Sequence, residues 1–172
     1  MPTRPSPSTT TAPAPADLQL PTPRGVDVVL RVEGVVEHGD ERGRLLGFPT
    51  ANVAVPPHGL RDGVWAGTVR IGGGGGRHGG TVHVAAVSVG HRPTYYGKDG
   101  ERLLEANLLD FAGDLYGLSV RIDLHARLRP QRRYPGSEEL VAQLRQDVAD
   151  TRRWAVDAGL GHLLADGPAT GR

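Results

Sequence analysis

A chain of 172 residues, 38% hydrophobic and 23% charged, has room for one domain with a buried core plus a tail, and a domain of that size removes roughly 70% of its unfolded surface from water. A formal net charge of +1 sets up no global field that would recruit nucleic acid or an anionic membrane, and the lack of cysteine excludes disulfides and thiolate metal sites. No apolar run is long enough to cross a bilayer and no apolar h-region stands near the start, so a cytoplasmic protein that engages no membrane is expected.

Residues 1–24 are rich in Pro, Ser, Thr and Ala with almost no large apolar side chains; such a segment cannot offset the entropy of ordering and reads as a disordered leader. The folded domain is expected over residues 25–158. It opens with alternation: Val26, Val28, Leu30, Val32 and Val36 fall on one face and Asp27, Arg31, Glu33 and Glu37 on the other, the pattern of a half-buried strand. Next comes a glycine-punctuated loop, His38-Gly39-Asp40-Glu41-Arg42-Gly43-Arg44, which leads into Gly47-Phe48-Pro49-Thr50-Ala51-Asn52. On an extended chain Thr50 and Asn52 point the same way, so a hydroxyl and an amide oxygen share one face.

Two readings of that stretch stand side by side. In one, Gly39 and Gly43 let backbone N–H groups approach anionic oxygens, Arg44 neutralises charge, and Thr50 and Asn52 supply the hard oxygen ligands that Mg²⁺ prefers. In the other, a polar loop enters a strand through Pro49 and both side chains face solvent. No Gly-Lys-Ser/Thr follows a glycine loop and no Gly-x-Gly-x-x-Gly opens a helix, so neither common nucleotide fingerprint applies.

Short β-leaning runs follow at 51–55, 64–71, 81–89 and 103–109, separated by Gly and Pro, and a strictly alternating run at 120–128 closes the series. Six closely spaced strands predict a small antiparallel all-β barrel. The Gly72 to Gly76 run between two of them has no side chains to fix one geometry and reads as a hairpin tip. In 103–109 alternation sets Glu105, Asn107 and Leu109 on one face, so a carboxylate interrupts an apolar stretch. It is either a solvent-facing edge residue or, opposite a bound triphosphate, a base for an attacking hydroxyl.

The arginines Arg127, Arg129, Arg132 and Arg133 crowd one segment, but only Tyr134 adds an aromatic ring there, which favours a solvated face over a nucleic-acid surface. After Pro135-Gly136 the period changes: Leu140, Leu144, Val148 and Thr151 recur one turn apart, Ser137 is placed as the cap, and Glu138 and Glu139 suit the positive end of the dipole. One amphipathic C-terminal helix is therefore expected to pack on the barrel, and residues 159–172 to form a flexible end.

Taken together, Gly34-Val35-Val36 through Gly39, Gly43-Arg44, Leu46-Gly47-Phe48-Pro49-Thr50-Ala51-Asn52, Gly90-His91-Arg92-Pro93-Thr94, Glu105-Ala106-Asn107-Leu108-Leu109-Asp110-Phe111 with Asp114-Leu115-Tyr116-Gly117, and Leu128-Arg129-Pro130 before Glu138-Glu139-Leu140 and Asp147 resemble riboflavin kinase in order and spacing. The resemblance covers residues 26–154. It implies a six-stranded barrel with a C-terminal helix that moves the γ-phosphate of ATP to the 5′-hydroxyl of riboflavin, with Mg²⁺ as the metal. By position it makes Thr50 and Asn52 the metal ligands and Glu105 the base. Gly39, Gly43, Arg44, Thr50, Leu108, Asp110 and Tyr116 become nucleotide contacts, and Arg129, Arg132 and Tyr134 flavin contacts.

Asn107, His91, Gln131 and Tyr134 depart from the family's usual residues by polar-for-polar or ring-for-ring exchanges, which leaves a flavin analogue open as substrate. A second class, a binding module of the same fold that holds flavin or nucleotide without turnover, also stays open. The short leader is not the adenylyltransferase domain that many bacterial relatives carry, so FAD synthesis is not expected. The expected partners are riboflavin and ATP alone, with no nucleic acid, and the expected state is a monomer.

Overall fold

The alternating runs at the two ends of the barrel sequence meet: β1 (Leu30–Val35) pairs antiparallel with β6 (Ser119–Arg129), Val32 opposite Ile122 and Leu30 opposite Leu124. The computed structural model describes residues 26–38, 48, 50–54, 60–72, 80–91 and 102–165. Between β1 and β6 in sequence lie β2 (Ala51–Ala54), β3 (Gly63–Ile71), β4 (Val82–His91) and β5 (Arg102–Leu108). All six join one antiparallel sheet in the order β1-β6-β3-β4-β5-β2. An isolated bridge from Glu37 to Asn52 ties the two outer strands and nearly closes the sheet into the predicted barrel.

Gly34 makes that closure possible. A Cβ built there would lie 2.5 Å from Val53 Cγ1, so only glycine lets β1 and β2 approach so closely. The interior is filled from every strand, with Val53, Val69, Val87, Leu104, Ile122 and Leu124 at most 1% exposed. Burying a side chain of this size stabilises by about 1.5–3 kcal/mol, and the period of two turns the residues on either side of each to the outer face.

The predicted helix is α1 (Ser137–Asp157), and it packs against the outer face of β3, β4 and β6. Ser137 does not cap it: the N-cap is Gly136, in extended backbone, and no side chain closes the first turn. Glu138 and Glu139 do occupy that turn, where the dipole favours them. At the other end Gly159 takes φ +74, the Gly159 N–H reaches the Val156 carbonyl and the Leu160 N–H reaches the Ala155 carbonyl, a glycine-terminated Schellman turn.

That turn sends the chain back onto the barrel. Leu160 is 1% exposed in a second apolar cluster with Val84, Ala86, Leu109 and Ala155, and Leu163 and Leu164 pack against it around a short 3-10 helix (Gly161–Leu163). Residues 159–165 are thus part of the folded unit and not the flexible end expected from their glycines; a buried leucine between two glycines outweighs the local signal. The leader, the glycine run beyond Gly72 and residues 166–172 lie outside the described residues.

Candidate active site

At the β2 edge the sheet register gathers polar side chains on its outer face. Asn52 of β2 stands directly opposite Glu105 of β5, and Glu105 stands directly opposite Ser88 of β4. Residues opposed in this way have Cβ atoms about 4.5–5.5 Å apart and point to the same side. Their neighbours Ala51, Val53, Leu104 and Ala106 turn inward and are buried. Asn52 is 7% exposed while Glu105 is open to solvent. Thr50, half-buried, precedes β2 by one residue and lies two positions from Asn52, on the same side of an extended chain. The amide and the carboxylate that the sequence singled out separately are therefore cross-strand neighbours.

The rim beside them is built by the segment after β5. The Tyr116 N–H donates to Asp114 Oδ1, the Gly117 N–H donates to the Val36 carbonyl, and the Tyr116 ring stacks on His38 at 3.7 Å and 22°. His38 is the described residue that leads into the glycine-punctuated loop, so Tyr116 sits where that loop leaves the barrel. Gly39, Gly43 and Arg44 themselves lie outside the described residues.

The other residues carried over by resemblance are placed differently. Leu108 points into the barrel core, 7% exposed, so its side chain is packing and not a nucleotide contact. Asp110, at φ +57, has its carboxylate taken by Arg152 of α1 and by the Ala165 N–H; the hydrogen bond from Arg152 holds it below the usual carboxylate range. It ties the helix and the final turn to the barrel.

Arg129 makes a two-pronged ion pair with Asp147 of α1, Nε to Oδ1 and Nη2 to Oδ2 at 2.6 Å each, and Gln143 adds a third donor at 3.0 Å. The hydrogen bonds to Asp147 push the Arg129 guanidinium above its ordinary value. The fork anchors the helix and points away from the flavin role. Tyr134 lies beneath it, its ring centroid 5.9 Å from the Arg129 guanidinium carbon, and its buried hydroxyl has no hydrogen-bond partner among the described residues. Arg132 faces solvent.

Ser88 escaped the sequence reading, and Asp147 and Gln131 were named there without the partners they hold. The role of Asp147 was hidden in a helical period; its signal was a carboxylate on the apolar stripe with Thr151 and Ala155, all three buried. Ser88 and Gln131 become visible only through strand register, since Gln131 Nε2 reaches Ser88 Oγ at 2.8 Å from 43 residues away. Among the described residues no group of three or more His, Cys, Asp or Glu could hold a metal ion. The neutral oxygens of Thr50 and Asn52 fit a hard cation whose charge is balanced by another ligand, not one bound by the protein alone. No helix among the described residues is long and apolar enough to cross a membrane.

The barrel with its C-terminal helix matches a known family. The flavokinase family model, described as riboflavin kinase, covers residues 27–155, and the chain belongs to the riboflavin kinase family, whose enzymes convert riboflavin to FMN with ATP. A bifunctional riboflavin kinase/FMN adenylyltransferase of Bacillus subtilis is 35% identical over 130 residues, 72% of this chain and 38% of that protein. The RNA-binding riboflavin kinase RibR of the same organism is 35% identical over 118 residues, 69% of this chain and 48% of that protein. This chain thus spans less than half the length of either. The solved riboflavin kinase of Trypanosoma brucei superposes with a TM-score of 0.55 at 23% identity, covering 82% of this chain and 88% of that one, and so shares the fold.

Proposed function

We propose that this chain transfers the γ-phosphate of ATP to the 5′-hydroxyl of riboflavin, giving FMN and ADP, with the outer-face row at the β2 edge as the reaction centre. The observation that carries the reading is the Asn52–Glu105 register, which sets a neutral oxygen ligand and a carboxylate side by side next to Thr50. Glu105 accepts the proton of the 5′-hydroxyl as that oxygen bonds to the γ-phosphorus and the bond from phosphorus to the ADP oxygen breaks. Thr50 and Asn52 hold the Mg²⁺ that accompanies the nucleotide, which when bound neutralises charge on the phosphates. Gly39, Gly43 and Arg44 cradle the phosphates, Tyr116 borders the nucleotide, and Tyr134 and Arg132 meet the flavin.

Two further features favour this reading over nucleic-acid binding. Arg127 donates to the Asp62 carbonyl and Arg129 is held by Asp147, so half of the basic cluster is committed within the fold. The reading keeps the protein a cytoplasmic monomer whose partners are riboflavin and ATP. Incubating the purified chain with riboflavin, ATP and Mg²⁺ and resolving the flavins by chromatography tests it: FMN should accumulate with equimolar ADP. Flavin bound but left unphosphorylated would identify a binding module, and turnover of an analogue in preference to riboflavin would reassign the substrate.

A further inference from the structure

The outer row does not end at Glu105. Ser88 faces it from β4, on the side away from Asn52, so the hydroxyl and the carboxylate lie within about 5 Å at their Cβ atoms. Ser88 is held from its own far side by Gln131, whose Nε2 donates to Ser88 Oγ at 2.8 Å and to the Val89 carbonyl at 3.1 Å. A carbonyl only accepts, so the Val89 contact fixes which end of the amide faces the strand. With the amide turned that way, Ser88 Oγ is an acceptor toward Gln131 and its own proton must go elsewhere. Gly90 leaves room for the arrangement, since a Cβ there would come within 3.1 Å of Gln131 Nε2.

We infer that Ser88, oriented by Gln131, is a positioning residue that donates its hydroxyl hydrogen bond to the Glu105 carboxylate and holds it toward the Asn52 side of the row. The inference rests on Glu105 acting as the base. Proton abstraction needs the glutamate rotamer that reaches the substrate hydroxyl. A charge-assisted hydrogen bond from one cross-strand neighbour selects that rotamer without touching either substrate.

The test is a kinetic cycle on the full chain. Ser88→Ala should lower kcat about tenfold through misplacement of the base, leaving KM for riboflavin and for ATP unchanged. Ser88→Thr, which keeps the hydroxyl, should restore most of the rate. Gln131→Leu, at a solvent-exposed position that leaves β4 intact, should lower kcat about threefold by releasing the serine. In a Glu105→Gln background Ser88→Ala should cost nothing more, because the hydroxyl acts through the carboxylate. An equal loss in both backgrounds, or an unchanged kcat for Gln131→Leu, would overturn the positioning role and leave the base intact. Near-normal turnover by Glu105→Gln alone would instead remove the base itself.

Discussion

Along β4 one strand face serves two purposes within three turns of the pleat. Val84 and Ala86 point outward into the cluster formed with Ala155 and Leu160, where α1 and the returning turn cover them. Ser88, next on that face, lies beyond the cluster and beside Glu105. The covered half of the outer face is apolar and sealed by ion pairs such as Arg129–Asp147, whose side chains are 13% and 4% exposed. The uncovered half carries an amide, a carboxylate and a hydroxyl in register. The difference teaches that the helix does more than finish a core: where it stops decides which outward positions are available for chemistry.

The comparison can be broken from either half, and the largest effects are expected at the uncovered one. Glu105→Gln should reduce kcat about 10²- to 10⁴-fold, the usual contribution of a positioned base. Riboflavin and ATP should still bind, as measured by calorimetry.

On the covered half, Asp147→Ala leaves the Arg129 guanidinium without its fork partner in a nearly buried site. A charge stranded in this way costs about 3–5 kcal/mol, so the unfolding midpoint in urea should fall steeply, while turnover per folded molecule stays close to that of the parent. Equal stability would mean that the fork does not hold the helix.

Gly34→Ala tests the closure of the barrel beneath the uncovered half. The added methyl meets Val53, and overpacking of this kind costs about 1–3 kcal/mol. Because β1 and β2 close the barrel there, this variant should lose both stability and rate, which thermal melts and FMN assays would separate.

The smallest effect is on acid tolerance. The Arg152 hydrogen bond holds the Asp110 pKa down in the folded state. At Asp62, burial alone would raise the pKa, but hydrogen bonds from Arg102 and His91 outweigh it and lower it. A carboxylate depressed on folding contributes stability above its unfolded pKa, near 4, and loses it as pH falls through the folded value. Urea midpoints of the parent and of Asp110→Asn should therefore differ at neutral pH and converge below pH 4; a constant gap would show that Asp110 contributes nothing through its charge.

Much of this was legible in the sequence because it rests on local period. β1 and β6 follow the alternation of Leu30 to Val36 and Val120 to Leu128, although β1 starts four residues after the alternation does; β2 to β5 follow β-leaning runs between Gly and Pro, and α1 follows the shift to helical spacing after Gly136. What depends on register was hidden. Nothing in the order of residues says that Asn52 meets Glu105 or that Gln131 reaches Ser88, because pairing between strands is set by how the whole barrel closes. Position within a resemblance put Asp110 and Arg129 at ligand sites when both are bound to α1, since a matching motif does not say whether a carboxylate or guanidinium has a substrate or a helix for its partner. Ser137 and the residues after Gly159 show the converse: local chemistry favoured a cap and a frayed end, and tertiary packing decided otherwise.

The central claim is that the Asn52–Glu105 row receives a metal carried by ATP. Replacing Mg²⁺ with Mn²⁺ on isotopically labelled protein and following paramagnetic broadening of its amide signals tests that claim directly. Resonances of Asn52, Glu105 and Ser88 should broaden when Mn²⁺ and ATP are present together, and those of Asp147 and Ala155 should stay sharp. Broadening of the row by Mn²⁺ without nucleotide, or broadening centred on α1, would contradict it.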